Sequence, residues 1–211
     1  MEILDIPFVK NPGFMCGQAC AAMMIKYYYP KFEVDFKKFD EIIRATKEKY
    51  TFPLQSAILL NYFGVAAKCY SSDGYKTTKE DPDNFKKWFG SDYEYEKKFL
   101  DTESFDWMVI EGRKHDLFIK RETSFDDLLE IYKKGNLVEF VIDWNILVGK
   151  NEPYLGHFLL ISGNKDEDTI FVHDPDRGAH IPYPKALLEK AYNHPVIADD
   201  AVIALGRKEI F

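Results

Sequence analysis

Cys16 stands between the turn signal Asn11-Pro12-Gly13 and a run of small and apolar residues, on helical spacing, that begins at Gly17. A sulfur at the tip of a helix meets partial positive charge and unpaired N–H groups. Both favour the thiolate, which is the nucleophilic form. Gly17 beside it would let a substrate backbone approach closely. The other reading of such a cysteine is a small buried helix residue. Cys20, one turn further on, and Cys69, in a predicted strand, read as structural thiols of that kind.

A thiolate needs a base, and the chain has five histidines. His115 lies in a polar stretch and His194 precedes Pro195, so both read as surface residues. His180 alternates with Ile181 in an extended segment without an evident partner. His157 differs, because it opens the apolar strand Phe158-Leu159-Leu160-Ile161. The polar run Asn164-Lys165-Asp166-Glu167 then turns the chain into a second strand ending at His173-Asp174-Pro175. With the turn centred between Lys165 and Asp166, Gly163 pairs with Asp168, Ile161 with Ile170, Leu159 with Val172, and His157 with Asp174. Opposed residues share a face, so Asp174 could orient the imidazole as the third member of a catalytic triad. An ordinary cross-strand polar pair is the alternative for these two residues. Cys16, His157 and Asp174 together point to acyl transfer through a thioester. A metal site built from His157, His173, Asp174 and Asp176 is the competing chemistry, but alternation sends His173 and Asp174 to opposite faces. No cofactor is expected, and no metal site is assigned.

The elements that must position these groups follow from the pattern. A short edge strand is expected over residues 1–9, where Pro7 interrupts the apolar run. Helices are expected over Gly17–Tyr29 (ended by Pro30), about 36–47, and about 54–63 with Gly64 as its stop. A strand follows over 65–70. Residues 71–113 are polar and turn-rich, then mixed aromatic and acidic, and read as an insertion or lid with some helix. Tyr93, Tyr95 and Trp107 there could line a substrate groove or pack within the lid. A helix capped by Thr123 or Ser124 runs to Gly135. After it come strands at Leu137–Ile142, His157–Ser162 and Thr169–His173, a helix at 184–192, and a last strand at Ala201–Leu205. Helices early and strands late indicate one α+β domain with helices packed on an antiparallel sheet.

Composition narrows the partners. The chain of 211 residues can bury a substantial core, and 46% hydrophobic with 30% charged residues is ordinary for a globular protein. A formal charge of −7 and no basic stripe argue against nucleic acid. No basic-then-apolar leader opens the sequence, and no window approaches the ~18 apolar residues of a membrane helix. Three cysteines do not make a disulfide framework, so a reducing cytoplasm is the expected location. The expected partner is a peptide or small amide substrate. Nothing in the sequence fixes the oligomeric state.

The segment Cys16-Gly17-Gln18-Ala19-Cys20, with Met23-Met24 and Tyr27-Tyr28 after it, resembles the bacteriocin-processing peptidases and their stand-alone relatives. Gly156-His157-Phe158, Asp174-Pro175 and the lead-in Ile6-Pro7-Phe8-Val9 resemble the same family. The resemblance covers about residues 3–30 and 123–206 and leaves 71–113 unmatched. It implies a papain-like cysteine peptidase fold with Cys16 as nucleophile, His157 as general base and Asp174 as orienting acid. The family places an oxyanion-donating Gln six residues before the cysteine, where this chain has Lys10. Lys10 could supply an ammonium donor, Asn11 an amide if the loop is one residue tighter, and Gln18 is the weaker substitute. Losing one such donor costs about 10²–10³ in rate. The two functional readings are therefore a peptidase and a catalytically impaired peptide-binding module on the same fold.

Overall fold

The computed structural model describes residues 3–72, 74–193 and 201–207. Helix α1 (Cys16–Tyr28) carries almost no polar side chain, and residues 17–25 are all buried. It is the central helix of the molecule, and its last turn closes with Tyr29 N on Ile25 O just before Pro30. Helix α2 (Phe36–Ile43) is capped by Asp35, whose carboxylate accepts from Lys38 N at 3.1 Å. It stops four residues earlier than the pattern predicts, because Arg44 turns left-handed at φ 52°. Helix α3 (Pro53–Tyr62) starts with proline in its first turn, where no N–H is missed. Gln55 fastens α3 to the end of α2 by donating to Ile43 O at 2.8 Å.

Seven strands form one sheet: β1 (Val65–Ser71), β2 (Phe118–Lys120), β3 (Leu137–Asp143), β4 (Gly156–Asn164), β5 (Thr169–Asp174), β6 (Gly178–Pro184) and β7 (Ala201–Arg207). Their order is β2-β1-β7-β3-β4-β5-β6, antiparallel throughout except for the β1–β2 pair. Alternation along β3 splits the core into two layers. Leu137 and Val141 join α1 and α3 on one face. Val138, Phe140 and Ile142 meet α7 (Phe125–Lys133) and α9 (Lys185–Tyr192) on the other. Ser124 caps α7 by accepting from Asp127 N. The fold is thus α+β, with helices on both faces of a mainly antiparallel sheet. Among the described residues no helix is long and apolar enough to cross a membrane.

The segment 71–113 folds into α4 (Asn84–Phe89), α5 (Tyr93–Glu96) and α6 (Thr102–Lys114). Tyr75, Phe85, Phe89, Phe105 and Met108 from it belong to the same buried cluster as α1 and α3. Gly112 lets α6 lie directly on α3, since a Cβ there would meet Leu54 at 2.7 Å. Aromatic side chains spaced irregularly along a polar stretch give no period to read, so this packing was invisible in the pattern.

Three expectations need correction. Residues 3–9 pair in no ladder, touching the sheet through Leu4 N on Ser162 O at 3.0 Å and turning at Ile6 N on Leu4 O; residues 1 and 2 lie outside the described residues, as does His194. The β4–β5 register is not the predicted one, because Ile161 pairs with Val172 and Leu160 with His173. The hairpin closes over a longer loop, with Lys165 N on Thr169 O, and the ladder is bulged around Ser162, where Gly163 has φ 154°. Finally, the pattern assigns no element to β2, sees β6 only as an extended segment at His180–Ile181, and places the single-turn helix α8 (Trp144–Leu147) within a loop.

Candidate active site

Cys16 is the first residue of α1 and is half-buried. The turn before it is built by Asn11, whose Oδ1 accepts from Gly13 N and Met15 N, both at 2.9 Å. Gly17 is buried, and a Cβ there would reach the Phe158 ring at 3.3 Å. Its glycine makes room for β4 to pack on α1, rather than for a substrate backbone.

His157, near the start of β4, is 5% exposed, and Asp174, at the end of β5, is fully buried. His157 Nε2 donates to Asp174 Oδ1 at 3.0 Å, which leaves Nδ1 for the sulfur side. The two-residue slip of register preserves parity, so both side chains still share a face and the bond closes diagonally. Asp174 Oδ1 also accepts from Asp176 N and Arg177 N, and Oδ2 accepts from Tyr183 Oη at 3.3 Å. Tyr183 in turn accepts from Arg177 Nη1 at 2.9 Å. Trp144 covers the imidazole edge-on at 4.6 Å between ring centroids, and the Arg177 guanidinium stacks on Trp144.

The electrostatics follow from this enclosure. Burial works against a charged His157, but the hydrogen bonds to Asp174 and Cys16, and the negative charge on both, raise it from 6.5 to about 10. Burial likewise works against ionised Asp174, and the His157 bond, the imidazolium charge and two backbone N–H groups together hold it below its ordinary value. The site therefore favours an imidazolium locked between a carboxylate and a sulfur.

The remaining candidates separate cleanly. Lys10 is exposed and makes no hydrogen bond or ion pair among the described residues. Asn11, one position nearer the sulfur, is tied to the site: its N donates to Pro175 O, and its Nδ2 donates to Asp176 Oδ1 at 2.6 Å. Asp176 Oδ2 lies 3.9 Å from His157 Nδ1, so this carboxylate bridges Asn11 and the imidazole. Gln18 is buried and donates to Asp40, away from the cysteine. His173 faces the other side of the hairpin. Its Nε2 meets Ile6 O at 2.8 Å, its Nδ1 accepts from His180 N, and burial lowers it to about 4. It does not join His157 around a metal. His180, expected without a partner, also meets Ser162 Oγ at 3.1 Å. Cys20 and Cys69 are both buried in the core, and His115 is a surface residue on Glu111.

The pattern gave no hint of two further groups. Tyr183 and Arg177 brace Asp174 from β6 and the turn before it, a strand that was not expected. Glu139 lies in the middle of β3, on the α1 side, between Leu160 and Val202 in the neighbouring strands. It is fully buried and neither carboxyl oxygen has a hydrogen-bond partner among the described residues. Desolvation pushes it well above the usual carboxylate range, Ser56 nearby offsets only part, and Cys16 raises it further.

No family model matches the chain, and no curated protein matches it. Solved structures do. A C39-like peptidase from Bacillus anthracis superposes over 98% of this chain and 98% of its own, with 13% identity and a TM-score of 0.54. A double glycine motif protease from an AMS/PCAT transporter, solved in complex with the leader peptide, aligns over 96% of this chain and 93% of its own, with 15% identity and a TM-score of 0.48. The first likeness places the fold with the C39-like, papain-like peptidases; at this identity it speaks of the fold alone.

Proposed function

We propose that this protein is a cysteine hydrolase that cleaves a peptide or amide bond through a thioester on Cys16. The observation that carries the reading is the His157 imidazole, fixed by Asp174 on one nitrogen and interacting with the Cys16 sulfur as well. The Cys16 thiolate attacks the carbonyl carbon, the new C–S bond forms, and the carbonyl electrons move to oxygen. N–H groups at the start of α1 and the Asn11 amide are the donors for that oxyanion. On collapse the C–N bond breaks and His157 gives its proton to the leaving amine. Water, deprotonated by the now neutral His157, then attacks the thioester, the C–S bond breaks, and the acid is released. Asn11 Nδ2 gives one of its two N–H groups to Asp176, which leaves the other for the oxyanion; Asp176, with a side chain 47% exposed, has room to move outward when substrate enters. Three free cysteines suit a reducing compartment, and the cytoplasm is the location proposed.

A second reading, a peptide-binding module with impaired turnover, is favoured by one observation. The family's amide position is an exposed lysine, and the nearest amide is already engaged by Asp176. Incubation of the protein with a peptide and amide panel, followed by intact-mass analysis, separates the two. Turnover lost in Cys16→Ala, with an acyl adduct on the wild-type chain, supports the hydrolase. Binding by both proteins with neither product nor adduct supports the module.

A further inference from the structure

A cavity of about 560 Å³ opens beside Cys16. That is in the range of sites that bury a drug-sized ligand. Its walls are aromatic and come from parts of the chain distant in sequence: Tyr50, Phe52, Trp88, Phe89, Tyr154 and Phe158 among them. Much of one wall is supplied by the 71–113 segment. The wall is fixed before anything binds, since the Tyr50 hydroxyl donates to the Glu96 carboxylate and Phe52 packs edge-on against Phe105.

The rim is more telling than the walls. Eight large apolar side chains are exposed among the described residues, and three of them, Phe14, Tyr95 and Leu155, line this one cavity. They come from the loop before α1, from α5 and from the approach to β4. Phe14 is the extreme case at 84% exposed, and its backbone is left-handed at φ 53°, a conformation that a bulky residue resists. The free protein thus bears a conformational cost and an unburied ring at the same residue, two positions from the cysteine. A contact that covers the ring would recover its exposed area and so offset the backbone cost, and strain of this kind concentrates at ligand clamps. Charged rim residues are of both signs, Glu48 and Glu152 with Lys49 and Lys87, so no net charge is selected.

We propose that this cavity seats a bulky apolar group of the substrate, aromatic or branched aliphatic, next to the bond presented to Cys16, with Phe14, Tyr95 and Leu155 closing over it. This deepens the hydrolase reading and rests on Cys16 being the reacting atom. The site selects a peptide or amide with a large uncharged substituent over one flanked by glycine.

The test uses chloroacetamides whose amide nitrogen bears methyl, benzyl or naphthylmethyl. The Cys16 thiolate displaces chloride, forming an S–C bond as the C–Cl bond breaks. The ratio of labelling efficiencies, naphthylmethyl over methyl, is expected to be at least tenfold. It should fall at least threefold in Phe14→Gly and in Tyr95→Ala. Phe14→Gly should also melt no lower than the wild type, because glycine accepts the left-handed backbone; a drop in stability would mark Phe14 as structural and overturn its role. In parallel, calorimetry on Cys16→Ala compares N-acetyl-tryptophanamide with N-acetyl-glycinamide. Fast labelling without size preference overturns the pocket assignment and leaves the nucleophile standing. Slow labelling by every reagent, with Cys16→Ala still preferring the tryptophan amide, supports the pocket while removing the hydrolase. A size preference unchanged in both rim variants overturns the proposal.

Discussion

His157 Nε2 and Asp174 Oδ1 meet at 3.0 Å although the two residues are not partners in the β4–β5 ladder. Asp174 lies one residue past His173, the last position paired with β4, and is held by backbone N–H groups of the following turn and by Tyr183. The carboxylate is positioned by β6 and the turn as much as by the hairpin that carries it. The consequences can be measured.

The first concerns pH and stability. A histidine raised from 6.5 to about 10 stabilises the fold fully below 6.5 and loses that contribution as pH climbs through 10. An aspartate held below 3.8 stabilises above that value and loses the contribution as pH falls. The gap in stability between wild type and His157→Ala is therefore widest between about pH 4 and 6.5, and it shrinks toward pH 10 by at most about 1.4 kcal/mol per pH unit. Chemical denaturation at pH 5.5, 7.5 and 9.5 reads it directly. A gap independent of pH would remove the imidazolium from the account.

Substitution of the two oxyanion candidates should give unequal effects. Asn11→Ala is expected to lower kcat by about 10²–10³, the cost of one lost donor, aggravated by the loosened Gly13–Met15 turn. Lys10→Ala and Lys10→Gln should each change kcat less than about threefold. Steady-state kinetics on a peptide that the wild type cleaves decides this. A strong gain in Lys10→Gln would show that position 10, and not position 11, serves the oxyanion.

Glu139 should set the pH response of the core. Its carboxyl is raised by burial, so its contribution to stability is intact below about 4.5 and declines as pH rises toward the folded-state value. Glu139→Gln has no proton to lose and should gain on the wild type as pH rises above about 4.5, by up to about 1.4 kcal/mol per pH unit. Melting curves at several pH values test this. Parallel pH profiles for the two proteins would mean that Glu139 is solvated in solution.

Much of this site was legible because its chemistry is local. Cys16 follows a turn and begins an apolar helix, and His157 and Asp174 bound two apolar strands; each fact is visible within about ten residues. The register eludes the pattern because a bulge and a four-residue loop leave no periodic trace; on the His157 side of the bulge the shift is two residues, so His157 and Asp174 still share a face. Tyr183, Arg177 and Glu139 escaped for another reason. Each matters through a neighbour that only the folded sheet supplies, and β6 carries two prolines and a left-handed His180 that mask its strand pattern. The aromatic cavity was hidden similarly, its wall assembled from segments far apart in the chain.

The pH dependence of turnover offers a separate check. His157 must give its proton to the leaving amine, so amide hydrolysis should decline as pH rises through about 10. Ester hydrolysis, whose leaving group needs little protonation, should decline less. Identical alkaline limbs for amide and ester would contradict the acid role.

The central claim is that His157 activates the Cys16 sulfur, and iodoacetamide labelling at neutral pH addresses it most directly. Cys16 should be modified ahead of the buried Cys20 and Cys69, faster than free cysteine, and at least tenfold more slowly in His157→Ala. Labelling at the rate of free cysteine, unchanged when His157 is removed, would contradict it.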